Sequence, residues 1–542
     1  MIDWPMTVRY VPLRIRWAWI FTGIFFALVA VLVATKFQDY GISWDEEVQN
    51  TYGQKLLSFY RTGFQDRSAM TYLNLFFYGG FFDLMAAIAN LVSPFGVYQT
   101  RHLLGGIFML FGLFGSWRLT RLLAGDRAAL IAVMMLTVDP LLYGHSFMNP
   151  KDAPLAWLSI WVLYFACRAI KEGRPRWSTI VGFGISLGLA FGTRIVAAPL
   201  LIYVTAVLGF GALLHRFWPQ IAPISTARMA IGLLAACPIA YVVMIICWPW
   251  AIQDPLNPIR AFHEFSNFPW NGWLLWDGEM VPATHLPRNY LPALLLYQLP
   301  EHTLAGLLFV VVAGIVVAWR RHLSLVADIR LPQYALLIQA AVVPVVGFVI
   351  LRPTVYNGMR HFLFVVPPLV ILAAIGWEQL LAAVTTRWRI SVIAAGGVLG
   401  VLMFWQMARM IDLHPYEYVA YNRVVGGVAG ASGRFELDYW DTSLAEDARR
   451  LGRRLAKMHF NAPPVVFVCG NRLSASAFLP KYVHLTWAVE EADYFISIVP
   501  STCRGQVDVT KDRIVEVRRD NVTLSYVIDL DRERKKADAA AP

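Results

Sequence analysis

From residue 17 to residue 411 the chain is a succession of long apolar runs separated by short polar links. Each run is long enough to cross a hydrocarbon layer of about 30 Å as a helix. From Asp412 onward the pattern changes to charged, mixed sequence. The pattern predicts a polytopic α-helical membrane protein of about eleven transmembrane helices in a domain 1–411, followed by a small C-terminal α/β domain, 412–542, in water.

The expected spans are 17–36, 98–117, 127–143, 154–170, 177–193, 195–213, 229–250, 303–319, 332–351, 362–382 and 390–411. The stretch 74–91 is also apolar, but Asp83, Asn90 and the pair Gly79-Gly80 interrupt it. It reads as a helix lying along or dipping into the outer interface. Counting it as a full span would place the basic link 118–127 outside and invert every later loop. The first run has no small-residue cleavage site behind it and reads as a signal anchor.

In the tail, 465–469 and 494–499 are strand-like, 513–517 and 524–528 read as a hairpin around Asp520-Asn521, and 444–457 is an amphipathic helix. This small domain would gate the membrane part, bind an acceptor or cap the bundle. The last dozen residues read as disordered.

Composition agrees with the pattern. Apolar residues make up 57% of 542 positions and charged ones 15%; mean hydropathy is +0.51. A soluble chain carries about a quarter charged residues. The net charge of +11 would suggest nucleic acid, but the basic residues sit in short links: Arg9, Arg14 and Arg16; Arg118, Arg121 and Arg127; Arg168, Lys171, Arg174 and Arg176; Arg320 and Arg321; Arg387 and Arg389. That placement marks cytoplasmic loops and argues against a nucleic-acid partner. With those links inside, the segments 37–97, 144–153, 251–302 and 352–361 and the tail fall outside. In a bacterial plasma (inner) membrane this is the periplasmic side. Of five cysteines, Cys167, Cys237 and Cys247 fall in apolar spans and none has metal-ligand spacing. Cys469 and Cys503 can pair if the tail lies outside.

The outer segments hold the residues that membrane burial penalises. Asp45, Glu46 and Glu47 stand just beyond the first span. Acidic residues there cap a helix and favour its dipole, or one of them serves as a general base at the membrane surface. The link 144–153 packs His145, Asn149, Lys151 and Asp152 into ten residues, an arrangement expensive beside lipid that should face a cavity. Asp152 also opens the next helix as a cap. Arg194, Arg352, Arg360 and His361 lie at outer span ends, where basic residues are normally depleted. They suit an anionic lipid headgroup such as a phosphate, or ion pairs with the same aspartates. The segment 251–302, rich in Pro, Asn, Trp and His and without clear periodicity, reads as a mobile lid or binding loop. Its Trp residues also fit an interfacial belt.

The order of these features resembles the C-type (GT-C) superfamily of membrane glycosyltransferases. The likeness is greatest to the dolichyl-phosphate-mannose protein mannosyltransferase group and the bacterial aminoarabinose transferase of lipid A, over roughly residues 10–411. The tail segments 414–422 and 435–440, ending in Tyr439-Trp440, resemble the tails of bacterial members of the group. The resemblance implies Asp45 as the catalytic aspartate with Glu46 completing the pair, and Asp152 as the second carboxylate. It also implies Arg194 and Arg360 as holders of the lipid phosphate. The aminoarabinose transferase has a lysine ahead of a Pro-Pro pair in its first loop. Here 68–74 reads Ser-Ala-Met-Thr-Tyr-Leu-Asn, a departure that speaks against aminoarabinose as the sugar.

The implied reaction moves a sugar from a polyprenyl-phosphate donor to an envelope lipid, glycan or protein acceptor on the outer face. Asp45 would remove the acceptor proton in an inverting single displacement, with Lys151, His145, Asn149, His361 and Arg352 lining the substrate site. No nucleotide-binding glycine loop is present, no cofactor is indicated, and a divalent metal is left open though no ligand set points to one. A lipid-linked-sugar transporter (a flippase) would share the anionic-lipid groove, but transporters usually show internal repeats and broken helices at the midplane; no internal repeat is seen, and the ionisable residues gather at one face instead. A non-catalytic sensor, with the tail as reader, is the third alternative.

Overall fold

The computed structural model describes residues 15–217, 226–266, 268, 270–321, 331–387, 392–501, 503, 506–508 and 512–531. Arg9, Arg14, Asn267, Pro269, Arg389 and the expected disordered end from 532 lie outside these.

The first helix, α1 (Ile15–Lys36), is followed by α2 (Trp44–Arg61) and the short α3 (Phe81–Ala89). Nine residues rise only about 14 Å, so α3 cannot span a bilayer. Gly79 and Gly80 dock its start: Gly80 N–H donates to Cys247 O (3.0 Å) and Phe81 N–H to Gly192 O (2.9 Å). Then come α4 (Val97–Ala124), α5 (Asp126–Thr137), α6 (Pro140–Met148), α7 (Asp152–Glu172), α8 (Trp177–Phe191), α9 (Ala198–Phe217), α10 (Thr226–Leu234) and α11 (Cys237–Cys247).

Among the described residues eight helical segments are long and apolar enough to cross a membrane: 19–36, 97–124, 152–172, 195–213, 227–247, 301–319, 331–351 and 360–384. A ninth crossing results if α5 and α6 form one span broken by a 65° bend. Pro140 opens α6 behind the Asp139 cap, whose carboxylate accepts from Leu142 N–H (2.9 Å). This makes the break local and deliberate. The expected span 177–193 is the 15-residue α8, shorter than the rest.

α7 is buried on every side, as a helix apolar all round should be; Trp157 and Trp161 anchor it. Gly112 of α4 faces Trp157, and any side chain there would collide with the indole. Trp157 Nε1 donates to Ser146 Oγ (3.2 Å) and Trp161 Nε1 to Phe111 O (3.1 Å). The start of α7 is thereby fixed in height and rotation against α4 and α6. By contrast α1 presents Phe21, Ile24 and Leu28 outward, where lipid would meet them.

Segment 251–302 differs from the expected aperiodic loop. It folds as α12 (Trp250–Gln253), α13 (Asn257–Ser266), the hairpin β1 (Trp273–Trp276) and β2 (Glu279–Pro282), and α14 (Tyr290–Gln298). Each element is too short to leave a periodic signature. Trp276 packs on Tyr290 and Phe435 (4.7 and 5.2 Å between ring centroids), joining the segment to the tail.

The chain continues through α15 (Glu301–Arg321), α16 (Leu331–Leu351), α17 (Val366–Arg387) and α18 (Val392–Leu413). Residues after α18, including Tyr416, Tyr418, Trp440 and the helix α19 (Gly427–Ala431), share one core with Trp157 and Leu163. The α/β unit follows with α20 (Leu444–Leu455), β3 (Val465–Cys469), α21 (Arg472–Ser476), β4 (His484–Thr486), β5 (Tyr494–Ile498), β6 (Arg513–Arg519) and β7 (Val522–Asp529). Its sheet order is β4-β3-β5-β7-β6, parallel across β4-β3-β5 and antiparallel after. Asp520 and Asn521 turn the β6–β7 hairpin at φ +49° and +62°, as a tight hairpin turn requires. Cys469 and Cys503 form a disulfide.

His414 rivets the tail to α1. Its Nε2 meets Asp39 Oδ2 (2.8 Å) and its Nδ1 meets Glu417 Oε1 (2.6 Å); Tyr40 OH donates to Glu417 (3.1 Å). Burial alone would lower the His414 pKa, but hydrogen bonds and charge from Glu417 and Asp39 raise it above its usual 6.5. A raised folded-state pKa gives stability that is whole below about pH 6.5 and is lost as pH climbs through the folded value. We expect His414→Gln to destabilise the protein by about 2 kcal/mol at or below that pH. Thermal unfolding in detergent from about pH 6 to pH 9 checks this: wild type should lose its advantage over the variant as pH rises.

Candidate active site

α2 begins where it does because Ser43 and Glu46 cap each other: Ser43 N–H donates to Glu46 Oε2 (2.8 Å). Ser43 Oγ also donates to Met148 O (3.0 Å), tying the cap to the end of α6. The other oxygen of Glu46 meets His102 Nε2 at 3.0 Å, and its side chain is 1% exposed. The adjacent acids therefore part company. Glu46 closes the helix start from within, Glu47 is exposed, and Asp45, 23% exposed, turns toward cations. The loop before them is held by the tail. A methyl group at Gly41 would strike the Thr442 carbonyl, and Asn471 Nδ2 donates to Ile42 O (3.3 Å).

Asp45 Oδ2 accepts from Arg360 Nη1 at 2.7 Å and lies 3.5 Å from Lys151 Nζ. Arg360 begins a tight turn, Arg360–Val365, before α17. Lys151 ends the α6–α7 link, which Asn149 shapes: its side-chain oxygen accepts from Asp152 N–H (2.8 Å) and Lys151 N–H (3.2 Å). Its amide nitrogen faces His145 Nδ1 and Asp152 Oδ2, both at 3.1 Å. His145 Nε2 in turn meets Tyr439 OH of the tail (2.9 Å). Asp152 pairs with Arg194 Nη1. Consecutive residues thus reach two carboxylate centres, Lys151 to Asp45 and Asp152 to Arg194.

The two centres share aromatic walls. The Tyr78 ring lies under Lys151 (4.5 Å) and Arg194 (5.4 Å). Tyr356 and Trp440 flank Arg360 at 4.8 and 5.4 Å. His361 stands edge-on to Tyr356 (4.7 Å). Behind Lys151, the Gln49 amide, oriented with its nitrogen toward Asp83, accepts from Lys151 Nζ at 2.6 Å. Asp83 is paired with Arg101 at 2.6 Å. Burial pushes Asp83 up to about 6, against the pull of Arg101.

Three buried cations, Lys151, Arg194 and Arg360, face two carboxylates, Asp45 and Asp152. Burial would raise the Asp45 pKa, but the charges of Lys151 and Arg360 hold it well below the usual carboxylate range. Lys151 is lowered by its burial against the opposing pull of Asp45. Arg194 Nε and Arg360 Nε are buried donors with no hydrogen-bond partner. Excess positive charge with spare donors is the electrostatic signature of an anion site.

Of the residues singled out in the sequence, Asp45, Asp152, Lys151, Arg194, Arg360, His361, His145 and Asn149 lie in this connected set. Arg352 does not join it: its guanidinium donates to Leu286 O (2.9 and 3.0 Å) and His285 O (3.4 Å), fastening the 251–302 segment to the end of α16. Tyr78, Tyr356, Gln49 and Asp83 were not singled out as site residues. Tyr356 carried a signal, since it stands between two outer arginines, and so did Tyr439-Trp440 in the tail. The Gln49–Asp83 contact joins positions far apart in sequence and left none.

The division of labour among the acids is testable by stability. Glu46→Ala removes a cap and a buried pair and should cost about 2 kcal/mol or more, read as a lowered Tm. Glu47→Ala should leave Tm within about 0.5 kcal/mol equivalent of wild type.

Residues 81–248 match the family model described as dolichyl-phosphate-mannose-protein mannosyltransferase. No curated protein matches the chain. Among solved structures, ArnT from Cupriavidus metallidurans in the apo state is 16% identical and aligns over 94% of this chain and 97% of its own, with a TM-score of 0.50. The same protein bound to undecaprenyl phosphate aligns over 93% and 97% at 16% identity and a TM-score of 0.49. The archaeal oligosaccharyltransferase AglB from Archaeoglobus fulgidus, in complex with an inhibitory peptide and a dolichol-phosphate, is 12% identical over 88% of this chain and 68% of its own, with a TM-score of 0.47. The chain thus shares the fold of ArnT, and the segment that matches the mannosyltransferase model contains Asp83, Lys151, Asp152 and Arg194.

Proposed function

We propose that this protein transfers a sugar from a polyprenyl-phosphate donor to a hydroxyl acceptor, by inverting single displacement with Asp45 as general base. The observation that carries the reading is the meeting of a partly exposed carboxylate with three buried cations, two of which hold spare N–H donors. The matched family is named for a dolichyl-phosphate-mannose donor, which is the same chemical class.

In the reaction the acceptor oxygen attacks the anomeric carbon on the face opposite the phosphate. The C1–O bond to the phosphate breaks as the new C1–O bond forms, and the acceptor proton passes to Asp45. The leaving polyprenyl phosphate gains a negative charge, which Arg360, Arg194 and Lys151 stabilise in a site of low water content. Asp152 is already saturated by Arg194 and Asn149, so its role is to hold Arg194 in place. Tyr78 and Tyr356 give the cations aromatic walls and suit the sugar faces. The site lies on the outer, non-cytoplasmic side, because the basic links mark the inner side, and in a bacterium that side is the periplasm. The acceptor is an envelope lipid, glycan or protein.

Asp45→Asn keeps the shape of the side chain while removing the proton acceptor. We expect a folded, donor-binding protein with transfer reduced roughly 100- to 10,000-fold, and a smaller loss for Asp152→Asn. Radiolabelled sugar transfer from a polyprenyl-phosphate donor by detergent-purified protein measures this, and flipping contributes nothing to it. Transfer by Asp45→Asn at the wild-type rate would remove Asp45 from the role. Donor binding without transfer to any envelope acceptor would favour the transporter.

A further inference from the structure

Asp45 and Asp152 differ in how firmly their counter-ions are held. Arg194 is committed to Asp152, which Asn149 also fixes from the side. At Asp45 the partners are looser. Arg360 uses one terminal nitrogen on the carboxylate at 2.7 Å and leaves Nε without a partner although the residue is buried. Lys151 stands at 3.5 Å, beyond good hydrogen-bond length, and has a second resting contact with the Gln49 amide oxygen at 2.6 Å. A carboxylate neutralised by two cations is also a weak proton acceptor. The donor-free arrangement therefore holds a base in its least basic condition.

We propose that Arg360 and Lys151 are exchangeable counter-ions: they neutralise Asp45 in the donor-free protein and are taken over by the lipid phosphate when it arrives. The carboxylate then becomes an effective base only with a donor in place. The inference rests on the reading above of Asp45 as base and the cationic cluster as phosphate site. A phosphate brings a full negative charge and several acceptor oxygens to the unused edge of the Arg360 fork, and Arg binds such groups bidentately. Lys151 follows as a mobile point charge on a flexible stem, with Gln49 as its fixed back-stop. Asp83 and Arg101, paired at 2.6 Å, hold Gln49 from below and are positioning residues in this scheme. The consequence is order: the donor binds first, and an acceptor that arrives alone meets an inert carboxylate.

The test is the affinity of the detergent-purified full chain for undecaprenyl phosphate at one fixed ionic strength. In wild type the phosphate must displace Asp45 from its cations; in Asp45→Asn it need not. Asp45→Asn should therefore bind about tenfold more tightly, and Asp45→Ser, a second variant with a shorter neutral side chain, should do likewise. Glu47→Gln, which removes an exposed charge two residues on, should stay within about twofold of wild type. Equal or weaker binding by both Asp45 variants, with wild type still binding, overturns the exchange and leaves the phosphate site standing. Absence of binding by wild type and both variants overturns the phosphate site and the exchange together.

Discussion

Three cations buried beside two carboxylates are the constraint on which the rest depends. Taking a charge out of water costs several kcal/mol even after relaxation, and an uncompensated one is worse still. The helical domain meets that cost by assembling the site from segments distant in sequence. The start of α2 supplies Asp45, the α6–α7 link supplies Lys151 and Asp152, the end of α8 supplies Arg194, and the turn before α17 supplies Arg360. The pairs Asp45–Arg360, Asp45–Lys151 and Asp152–Arg194 join these elements and hold them in mutual register. The part of the charge left unbalanced is positive, which is what the proposed phosphate site requires.

The scaffold keeps these groups at fixed depth by ordinary packing. α7 is locked by Trp157 against Gly112 and Ser146, which sets the height of Lys151 and Asp152 at its N-terminal end. The bend between α5 and α6 lets the chain approach α7 without a long loop. The tail takes part too, since Tyr439 holds His145, Trp440 lies against Arg360, and Thr442 and Asn471 press on the loop before Asp45. The C-terminal domain thus supports the first acidic loop directly, and the His414 cluster fastens it to the end of α1.

Much of this was legible in the sequence, for physical reasons that can be named. Apolar runs long enough to cross a bilayer are hard to misread, and in 74–91, read as an interfacial helix because Asp83 and Gly79-Gly80 interrupt it, the helix is the nine-residue α3, too short to span. Charged residues at the outer span ends were conspicuous because lipid penalises them. Local sequence could not divide Asp45 from Glu46, because capping and catalysis call for the same residue type; burial and the His102 pair show only that Glu46 is a cap. Arg352 looked like Arg360 in sequence, yet a left-handed backbone at φ +52° turns its guanidinium to the carbonyls of residues 285 and 286. The 251–302 segment was opaque because its helices and strands are too short for periodicity. The aromatic walls were hidden because Tyr and Trp are common at any membrane interface.

The most direct test of the central claim, that the excess positive charge is a lipid-phosphate site beside the base, is an experimental structure of the protein with undecaprenyl phosphate bound. The account predicts phosphate oxygens within about 3 Å of Arg360 and of Arg194 or Lys151, with Tyr78 and Tyr356 flanking the linkage. A phosphate held elsewhere, with the Asp45–Arg360 and Asp152–Arg194 pairs intact and their spare donors still unused, would contradict it.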